Sequence, residues 1–384
     1  MSKRVICVVG ARPNFMKIAP LMRCFARSAL LEPYLLHTGQ HYDAAMKAAF
    51  FEQLQIPAPD EDLGVGSGSH AVQTAEIMRR FEPVLDAHAA DAVLVVGDVN
   101  STVACALVAA KKGVPVVHVE AGLRSFDRGM PEEINRVVTD QLSDLLFTTE
   151  RQAMVNLERE GIDPARVHFV GNVMIDTLLE HRHRTRTVAD VIASAGAEGT
   201  PAERVGVVTL HRPSNVDDPR ILAALIDTLA ELSKELPLLF PLHPRTAARL
   251  QASGLSDRAQ AACVLLPPLD YLDMLALLQN AVMVLTDSGG IQEETTALGV
   301  PCLTLRPNTE RPITVEAGTN TIVGNDRARI LAVARDILCT GGKTGRIPEY
   351  WDGRAAERIV SALEDWFYGA IPIAGGTRVG GPRP

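Results

Sequence analysis

The chain has 384 residues, of which 47% are hydrophobic and 22% are charged, and its formal net charge is −8. These values are typical of a globular protein large enough to form two domains. The negative charge argues against a nucleic-acid backbone as the main partner, so any bound phosphate must be met by local arginine, lysine and backbone N–H groups.

The sequence predicts a cytoplasmic protein with no membrane partner. Its six cysteines are scattered, and several lie in apolar runs, as is typical of reduced core residues. No apolar run is long enough to cross a bilayer, and the first strand follows Lys3 and Arg4 with no cleavable signal pattern.

Short apolar runs alternate with segments of helical period along the first half of the chain. The predicted strands there are 5–9, 34–37, 92–96, 114–119, 145–147 and 167–170. The predicted helices between them include 17–27, 71–88, 101–112 and 132–142. This alternation predicts a parallel sheet covered by helices on both faces.

The same alternation restarts after a polar stretch at 181–203, which is predicted to be a solvated helix and linker. The predicted strands are 205–210, 238–242, 264–266, 282–285 and 302–305, and the predicted helices are 219–235, 271–279, one that follows Gly290, and 355–368. Two such series predict an α/β fold of two doubly wound Rossmann-like domains facing a cleft. The expected domains are 1–171, joined by the C-terminal helix 355–370, and 172–354, with 371–384 as a flexible tail.

Two glycine-rich stretches resemble nucleotide-binding fingerprints without meeting their requirements. The stretch 64–69 has Ser69 in place of the third glycine, and the stretch 337–344 has Ile337 in place of the first glycine of a P-loop. The lack of a credible dinucleotide fingerprint weighs against a nicotinamide and redox chemistry. Because the histidines also lack metal-ligand spacing, we expect no cofactor and no metal ion.

Polar residues follow the strands of the first predicted domain at their carboxyl ends. Arg12 and Lys17 flank a helix start and form a pair of cations suited to a pyrophosphate. Asp98 follows the next strand, where it could also cap a helix, and Glu132 also suits a helix start. Glu120 ends a buried parallel strand, where capping gives no reason for a carboxylate, so a functional role is favoured.

The stretch 282–294 gives the clearest indication of a binding site in the second predicted domain. A buried apolar run of strand length ends at Asp287, and Ser288, Gly289 and Gly290 lead into a helix. This arrangement brings bare N–H groups and a helix N-terminus to one point, which suits a phosphate, although an ordinary capped turn is the alternative. Glu294 would repel phosphate and is better suited to accept hydrogen bonds from a sugar or ribose hydroxyl. Other strand ends of this domain carry His211, His243 and Arg311.

Seven motifs occur in order between residues 4 and 368. They are Gly10-Ala11-Arg12-Pro13, Gly97-Asp98 with Ser101-Thr102, the run from His118 to Arg124, the run from Pro131 to Arg136, His211-Arg212, the run from Thr286 to Glu294, and Glu310-Arg311-Pro312. Together they resemble the non-hydrolysing UDP-N-acetylglucosamine 2-epimerases. The resemblance implies a fold similar to the B-type glycosyltransferases, with UDP held mainly by the second domain, and a homodimer.

The same resemblance implies an isomerase that interconverts UDP-N-acetylglucosamine and UDP-N-acetylmannosamine for cell-surface polysaccharide synthesis. The implied route eliminates UDP across C1–C2 to give 2-acetamidoglucal, then re-adds UDP with protonation from the other face. The implied catalytic residues are Asp98, Glu120, Glu132 and His211. The implied substrate-binding residues are Arg12, Lys17, His243, Met274, Ser288, Gly289, Gly290, Glu294 and Arg311.

The chain departs from the best-known bacterial members of this family. Tyr42 and Asp43 follow Gln40 and His41, where members activated by a second UDP-N-acetylglucosamine carry a further glutamine. This difference predicts that UDP-N-acetylmannosamine is converted without added UDP-N-acetylglucosamine, a result that a progress curve without a lag would confirm.

Four alternatives to this reaction remain. The departures also resemble epimerases of UDP-2,3-diacetamido-2,3-dideoxyglucuronate, whose extra carboxylate would need a cation such as Arg124, Arg128 or Arg245. A glycosyltransferase would share the fold and the UDP site but would need an acceptor groove. A hydrolysing relative would release N-acetylmannosamine, and a UDP-sugar sensor would turn nothing over.

Overall fold

The structure is a computed structural model that describes residues 2–40 and 50–369. The chain divides into two compact units: unit 1 contains the chain up to Asp176 together with the segment from Asp352 onward, and unit 2 is Thr177–Trp351. These divisions lie close to the boundaries at 171 and 354 expected from the sequence, whereas the expected tail 371–384 lies outside the described residues.

Unit 1 contains a parallel sheet whose strand order is β3-β2-β1-β4-β5-β6-β7. Its strands are β1 (Lys3–Val9), β2 (Leu31–His37), β3 (Glu61–Asp62), β4 (Ala92–Val96), β5 (Val116–Ala121), β6 (Leu145–Thr148) and β7 (Val167–Phe169). The central strands are apolar and buried because helices cover both faces of the sheet. The helices are α1 (Arg12–Phe25), α2 (His70–His88), α3 (Asn100–Lys111), α4 (Pro131–Leu142), α5 (Arg151–Arg159) and α6 (Val173–His181), the last of which continues into unit 2.

Unit 2 repeats this plan with the strand order β10-β9-β8-β11-β12-β13, again parallel. Its strands are β8 (Gly206–Thr209), β9 (Leu238–Pro241), β10 (Val264–Leu266), β11 (Met283–Thr286), β12 (Cys302–Thr304) and β13 (Asn320–Ile322). Its helices are α7 (Val188–Ser194), α8 (Pro213–Val216), α9 (Pro219–Leu232), α10 (Pro244–Ala252), α11 (Ser256–Ala262), α12 (Tyr271–Asn280), α13 (Gly289–Leu298), α14 (Pro312–Glu316) and α15 (Arg327–Thr340).

Both sheets have their switch points where the first strand of the unit neighbours the fourth, at β1/β4 and at β8/β11. Ligands of doubly wound folds bind at the carboxyl ends of the strands beside such points. The expectation of two doubly wound α/β domains is therefore confirmed. Within the described residues, no helix has the length and hydropathy needed to span a bilayer.

The polar stretch 181–203 differs from its prediction as a solvated helix and linker. It contains α7, whose residues Val188, Val191 and Ile192 are buried in the core of unit 2. Three apolar residues at helical spacing were enough to anchor this helix, although charged residues dominate the stretch around it.

The last helix, α16 (Ala355–Tyr368), packs against α1 and so completes unit 1. The buried Asp176 carboxylate accepts hydrogen bonds from the backbone N–H groups of Ala355 (3.1 Å) and Ala356 (2.7 Å) at the start of α16. These bonds satisfy donors that a helix N-terminus leaves without an intrahelical partner. Asp176 thus fastens the returning chain to the rest of unit 1.

The Asp176→Asn variant should change how stability depends on pH. Burial raises the pKa of Asp176 to about 6, although the two backbone hydrogen bonds oppose the shift. Because the folded pKa lies above the unfolded value, the stabilising contribution is present below the unfolded pKa and is lost as the pH rises through about 6. The free energy of unfolding of the wild type, relative to Asp176→Asn, should therefore fall by roughly 2 kcal/mol between pH 4 and pH 7.5. Urea unfolding of both proteins at the two pH values measures the difference, and an equal pH dependence would contradict it.

Candidate active site

The turn after β1 carries Arg12 into the first turn of α1. The Asn14 side chain organises this turn, because its Oδ1 accepts from the N–H groups of Gly10 and Ala11, both at 3.1 Å. Its Nδ2 donates to the Val96 carbonyl at 2.8 Å, which ties the turn to the end of β4. The Arg12 guanidinium lies 4.8 Å from the centre of the Phe50 ring. Helix α1 begins at Arg12, whereas the sequence predicted that it begins at residue 17.

Asp98 follows β4 but does not cap the next helix. The N-cap of α3 is Val99, which makes no side-chain capping bond, whereas the Asp98 carboxylate pairs with the buried Arg136 of α4. Asn135, also on α4, donates to the Asp98 carbonyl at 2.9 Å. Helix α4 therefore fixes both the backbone and the side chain of Asp98.

Glu120 occupies the most unusual backbone position of the site. Its φ is +76°, and the pairing of β5 with β6 shifts register between Val119 and Ala121, so Glu120 is the residue at a β-bulge. A left-handed conformation is costly for a non-glycine residue and is concentrated at functional sites, and bulges re-aim side chains there. The Glu120 carboxylate is buried and lies 2.6 Å from the Lys17 ammonium.

The Lys17–Glu120 pair lies against the turn that carries Asp98. A Cβ atom added to Gly97 would lie 2.7 Å from Lys17 Nζ and 3.8 Å from Glu120 Oε1. Glycine at position 97 therefore admits the lysine, and it also supplies the turn with a φ of +67°. The structure brings Lys17 to Glu120, whereas the sequence had grouped it with Arg12 as a pyrophosphate cation.

Two adjacent glutamates at the start of α4 have different environments. Glu133 is buried and accepts from the backbone N–H groups of Ser125 and Phe126, both at 2.9 Å, so it anchors the preceding loop. It also accepts from Arg136 at 2.7 Å. Glu132 lies in the first turn of the same helix and is half-buried. Glu133 therefore shapes the loop before α4, and the catalytic role of Glu132 stays a prediction.

In unit 2, the buried Asp287 holds His211 across the β8/β11 switch point. The carboxylate lies 3.0 Å from His211 Nδ1 and accepts from the backbone N–H groups of His211 and Arg212 and from Asn215 Nδ2. Burial alone would raise the pKa of Asp287, but the bonds from His211 and Arg212 lower it below its ordinary value. In a neutral ring, the carboxylate therefore fixes the proton on Nδ1, which leaves Nε2 as a proton acceptor.

His243 lies beside His211, with ring centroids 5.4 Å apart. Its Nδ1 accepts from the backbone N–H of Arg245 at 3.2 Å as the N-cap of α10. In its neutral form this ring carries its proton on Nε2. A neutral His243 therefore donates from Nε2, whereas a neutral His211 accepts at Nε2.

Helix α13 begins at Gly289, directly after Ser288, whose side chain makes no capping bond. The first N–H groups of a helix lack intrahelical partners and attract anions. Arg311 packs against this end of the helix, since a Cβ atom at Gly289 would lie 2.8 Å from its Nη1. The N-terminus and a guanidinium thus converge at the predicted phosphate site, where Gly290 is half-buried.

Buried carboxylates hold the Arg311 side chain in place. Arg311 pairs with Glu293 and Glu310, each at 2.9 Å, and Glu310 also pairs with Arg306 at 2.8 Å and with Arg212 at 3.7 Å. Burial alone would raise the pKa of Glu310, but Arg311 and Arg306 lower it well below its ordinary value. Glu310 therefore stays ionised and orients a cluster of guanidinium groups.

The last two predicted binding residues of unit 2 lie on helices. Glu294 is on α13 and is buried, and Met274 is half-buried on α12 against the core. The expected regulatory positions Tyr42 and Asp43 lie outside the described residues. Among those that are described, no group of His, Cys, Asp and Glu side chains is arranged to hold a metal ion.

The sequence profile described as UDP-N-acetylglucosamine 2-epimerase matches residues 24–364. The chain belongs to this family. The family is one of isomerases, and the resemblance drawn from the seven motifs is confirmed. UDP-N-acetylglucosamine 2-epimerase from Methanocaldococcus jannaschii is 39% identical over 360 residues, covering 93% of this chain and 97% of its own.

One further relative and one solved structure match this chain over nearly its full length. UDP-2,3-diacetamido-2,3-dideoxy-D-glucuronate 2-epimerase from Pseudomonas aeruginosa is 40% identical over 367 residues, covering 94% of this chain and 99% of its own. The crystal structure of the M. jannaschii enzyme in complex with UDP-GlcNAc and UDP has a TM-score of 0.86 and 39% identity, covering 94% of this chain and 99% of that one.

Several residues that build the site were given no individual function in the sequence interpretation, although four of them lie in its motifs. They are Asp287, Arg136, Glu133, Glu310 and Arg306. Asp287 is a carboxylate that ends a buried parallel strand, and the reasoning applied to Glu120 could have found it. The other four are paired through tertiary contacts for which the sequence carries no separate signal.

Proposed function

We propose that this chain interconverts UDP-N-acetylglucosamine and UDP-N-acetylmannosamine by eliminating UDP and adding it back. The observation that carries the proposal is Glu120, a buried carboxylate held in a left-handed bulge against Lys17 at the carboxyl end of β5, the strand next to β4 of the switch point. Such a costly position is favoured where a carboxylate must be aimed at a reacting group.

The proposed reaction needs no change of oxidation state. One carboxylate removes the C2 proton while the C1–O bond breaks and UDP leaves, which gives 2-acetamidoglucal. The intermediate is then protonated at C2 from the opposite face while the UDP oxygen re-forms the bond to C1. Asp98, Glu120 and Glu132 are the proton-transfer candidates, and His211 presents Nε2 as a further acceptor.

The leaving UDP is assigned to unit 2 and to Arg12. Ser288, Gly289, Gly290 and Arg311 would bind phosphate at the N-terminus of α13, and Glu294 would accept from the ribose. Met274 would flank the uracil, and His243 would donate from Nε2 to a phosphate oxygen. Lys17 would act through Glu120, whose carboxylate it holds at 2.6 Å.

Family membership supports three further parts of the proposal. We propose a homodimer that works in the cytoplasm and supplies an activated sugar for cell-surface polysaccharides. Light scattering of the purified protein with and without UDP measures the oligomeric state. A monomer under both conditions would contradict the proposed homodimer.

Proton NMR of the purified protein with UDP-N-acetylglucosamine in D₂O tests the reaction. The expected result is UDP-N-acetylmannosamine that carries deuterium at C2, because the proton removed exchanges with solvent before the other face is protonated. Free N-acetylmannosamine would identify a hydrolase instead, and absence of turnover would contradict the proposal for this substrate.

The diacetamido glucuronate is the second candidate substrate, favoured by the 40% identity to the Pseudomonas enzyme. Its uronate would need a cation. Arg124 is buried between Asp140 and Glu160, and Arg245 is paired with Asp217, whereas Arg128 is exposed. Turnover of this substrate alone, lost in Arg128→Gln, would move the proposal to it.

The Gly289→Ala variant should weaken UDP binding by about 10-fold. The added methyl group would lie 2.6 Å from Glu310 Oε1 and 2.8 Å from Arg311 Nη1, so it must displace the guanidinium that converges on the proposed phosphate site. Overpacking of this kind costs about 1–3 kcal/mol, and 1.4 kcal/mol is tenfold in affinity. Calorimetric titration with UDP measures the change, and an unaltered Kd would show that Arg311 does not bind phosphate.

A further inference from the structure

A buried histidine links two of the strand-end turns in unit 1. His118 lies on β5, and its side chain is fully buried. Its Nε2 is 2.9 Å from the carbonyl oxygen of Gly97, in the turn that carries Asp98. Its Nδ1 is 2.6 Å from Asp140 Oδ1 on α4. His118 therefore bridges the end of β4 and helix α4.

Both ring nitrogens of His118 face hydrogen-bond acceptors. A neutral imidazole carries only one N–H, so one of its lone pairs would point at an acceptor oxygen. The imidazolium form donates to both. A protonated Asp140 would also remove the conflict, but its other partners, the Arg124 guanidinium and the Gly122 N–H, favour the carboxylate.

Asp140 also holds the turn that follows Glu120. Its Oδ2 accepts from the Gly122 N–H at 3.1 Å and lies 2.7 Å from Arg124, which Glu160 binds in turn at 2.6 Å. Burial alone would raise the pKa of Asp140, but His118 and Arg124 lower it below its ordinary value. With His118 protonated, the cations His118 and Arg124 balance the carboxylates of Asp140 and Glu160.

We infer that His118 and Asp140 are positioning residues, an imidazolium–carboxylate pair that ties the turn of Asp98 to the bulge of Glu120 and so sets both carboxylates for proton transfer. The catalytic part of this inference rests on the proposed function. The protonation part rests on the geometry of the ring alone.

The Asp140→Asn variant tests both parts of the inference, the protonation of His118 and the positioning of the two turns. Its amide can donate to His118 Nδ1, so the histidine becomes a neutral ring that still donates from Nε2 to Gly97. The net charge of the group is unchanged, because one cation and one anion disappear together. The single amide oxygen must then serve both Gly122 and Arg124, so the turn after Glu120 loosens.

Asp144→Asn is the matched control. Asp144 Oδ2 accepts from the Val116 N–H at 2.9 Å, so it holds the opposite end of β5 by the same kind of bond. Asp140 and Asp144 each accept from a backbone N–H at one end of β5, but only Asp140 lies at the end that carries Glu120. Equal shifts of the two urea midpoints would show that stability does not explain a difference in activity.

Nitrogen-15 NMR of protein labelled in its histidine rings reads the protonation state, and His118→Gln assigns the signal. We expect two ring N–H groups on His118 in the wild type at pH 7.5 and one in Asp140→Asn. We also expect kcat to fall roughly 10- to 100-fold in Asp140→Asn, with KM for the UDP-sugar within threefold, because small misplacements of reacting groups cost up to about 10²-fold. Asp144→Asn should keep the wild-type kcat.

Each outcome bears on a different part of the inference. A neutral His118 in the wild type would overturn the protonation state, whatever the activity. A wild-type kcat in Asp140→Asn, or an equal loss in Asp144→Asn, would overturn the positioning role. A wild type inactive on both candidate sugars would refute the proposed function, and the NMR result would still decide the state of His118.

Discussion

Asp98→Asn should lower the rate of epimerisation by about 10²- to 10⁴-fold, the range over which a positioned acid or base contributes. UDP binding should stay nearly intact, because the UDP ligands are proposed to lie in unit 2 and on Arg12. The fold should also persist, since Arg136 keeps its pair with Glu133 at 2.7 Å after the Asp98 carboxylate is lost. Glu132→Gln should behave in the same way.

Deuterium incorporation at C2 and calorimetric titration with UDP measure the two effects on one preparation. Asp127→Asn is the control, because Asp127 is an exposed carboxylate on the loop before α4 and bonds only locally in the described chain, to Gly129. Loss of UDP binding together with activity in both Asp98→Asn and Glu132→Gln would assign these residues a structural role and contradict the mechanism.

Asp287→Asn should reduce kcat by about 10²- to 10⁴-fold through His211. An amide offers one acceptor oxygen to the donors that converge on Asp287, and its own NH₂ group faces them. His211 then loses the partner that keeps its proton on Nδ1, and a histidine held in the wrong tautomer cannot accept a proton at Nε2.

A double-mutant cycle tests whether Asp287 acts through the ring. We expect Asp287→Asn with His211→Gln to be no slower than the worse single variant, because both remove the same function. Full additivity of the two losses would show that Asp287 works separately from His211. Since the pKa of Asp287 is lowered, its stabilising contribution is present above the unfolded value and is lost only as the pH falls below it. An acid limb of activity near pH 6 would therefore come from another group.

The doubly wound fold could be predicted from the sequence because buried parallel strands are continuous apolar runs. Residues 92–96 illustrate this: all five are buried, and the predicted strand has the observed bounds. The strands β3 (Glu61–Asp62) and β13 (Asn320–Ile322) were missed because neither is an apolar run, whereas the short apolar edge strands β7 and β10 were predicted.

The sequence predicted the chemical role of single residues better than it predicted which residues pair with them. Glu120 was singled out because no local role explains a carboxylate at a buried strand end. Its bulge could not be foreseen, since it depends on Asp140 holding Gly122 from another element. Lys17 and Glu120 are 103 positions apart in the chain, and His211 and Asp287 are 76 apart. The local sequence around these residues therefore does not indicate that either pair forms.

Unit 1 is built from two separate stretches of chain, whereas unit 2 is one uninterrupted stretch. On a ribosome, unit 2 has all of its residues before the last segment of unit 1 emerges. Until then, the face of α1 that α16 covers is open to solvent, and Asp176 has no helix to cap. A stop codon or a proteolytic cut at residue 352, which removes only the last segment of unit 1, should therefore damage unit 1 and spare unit 2.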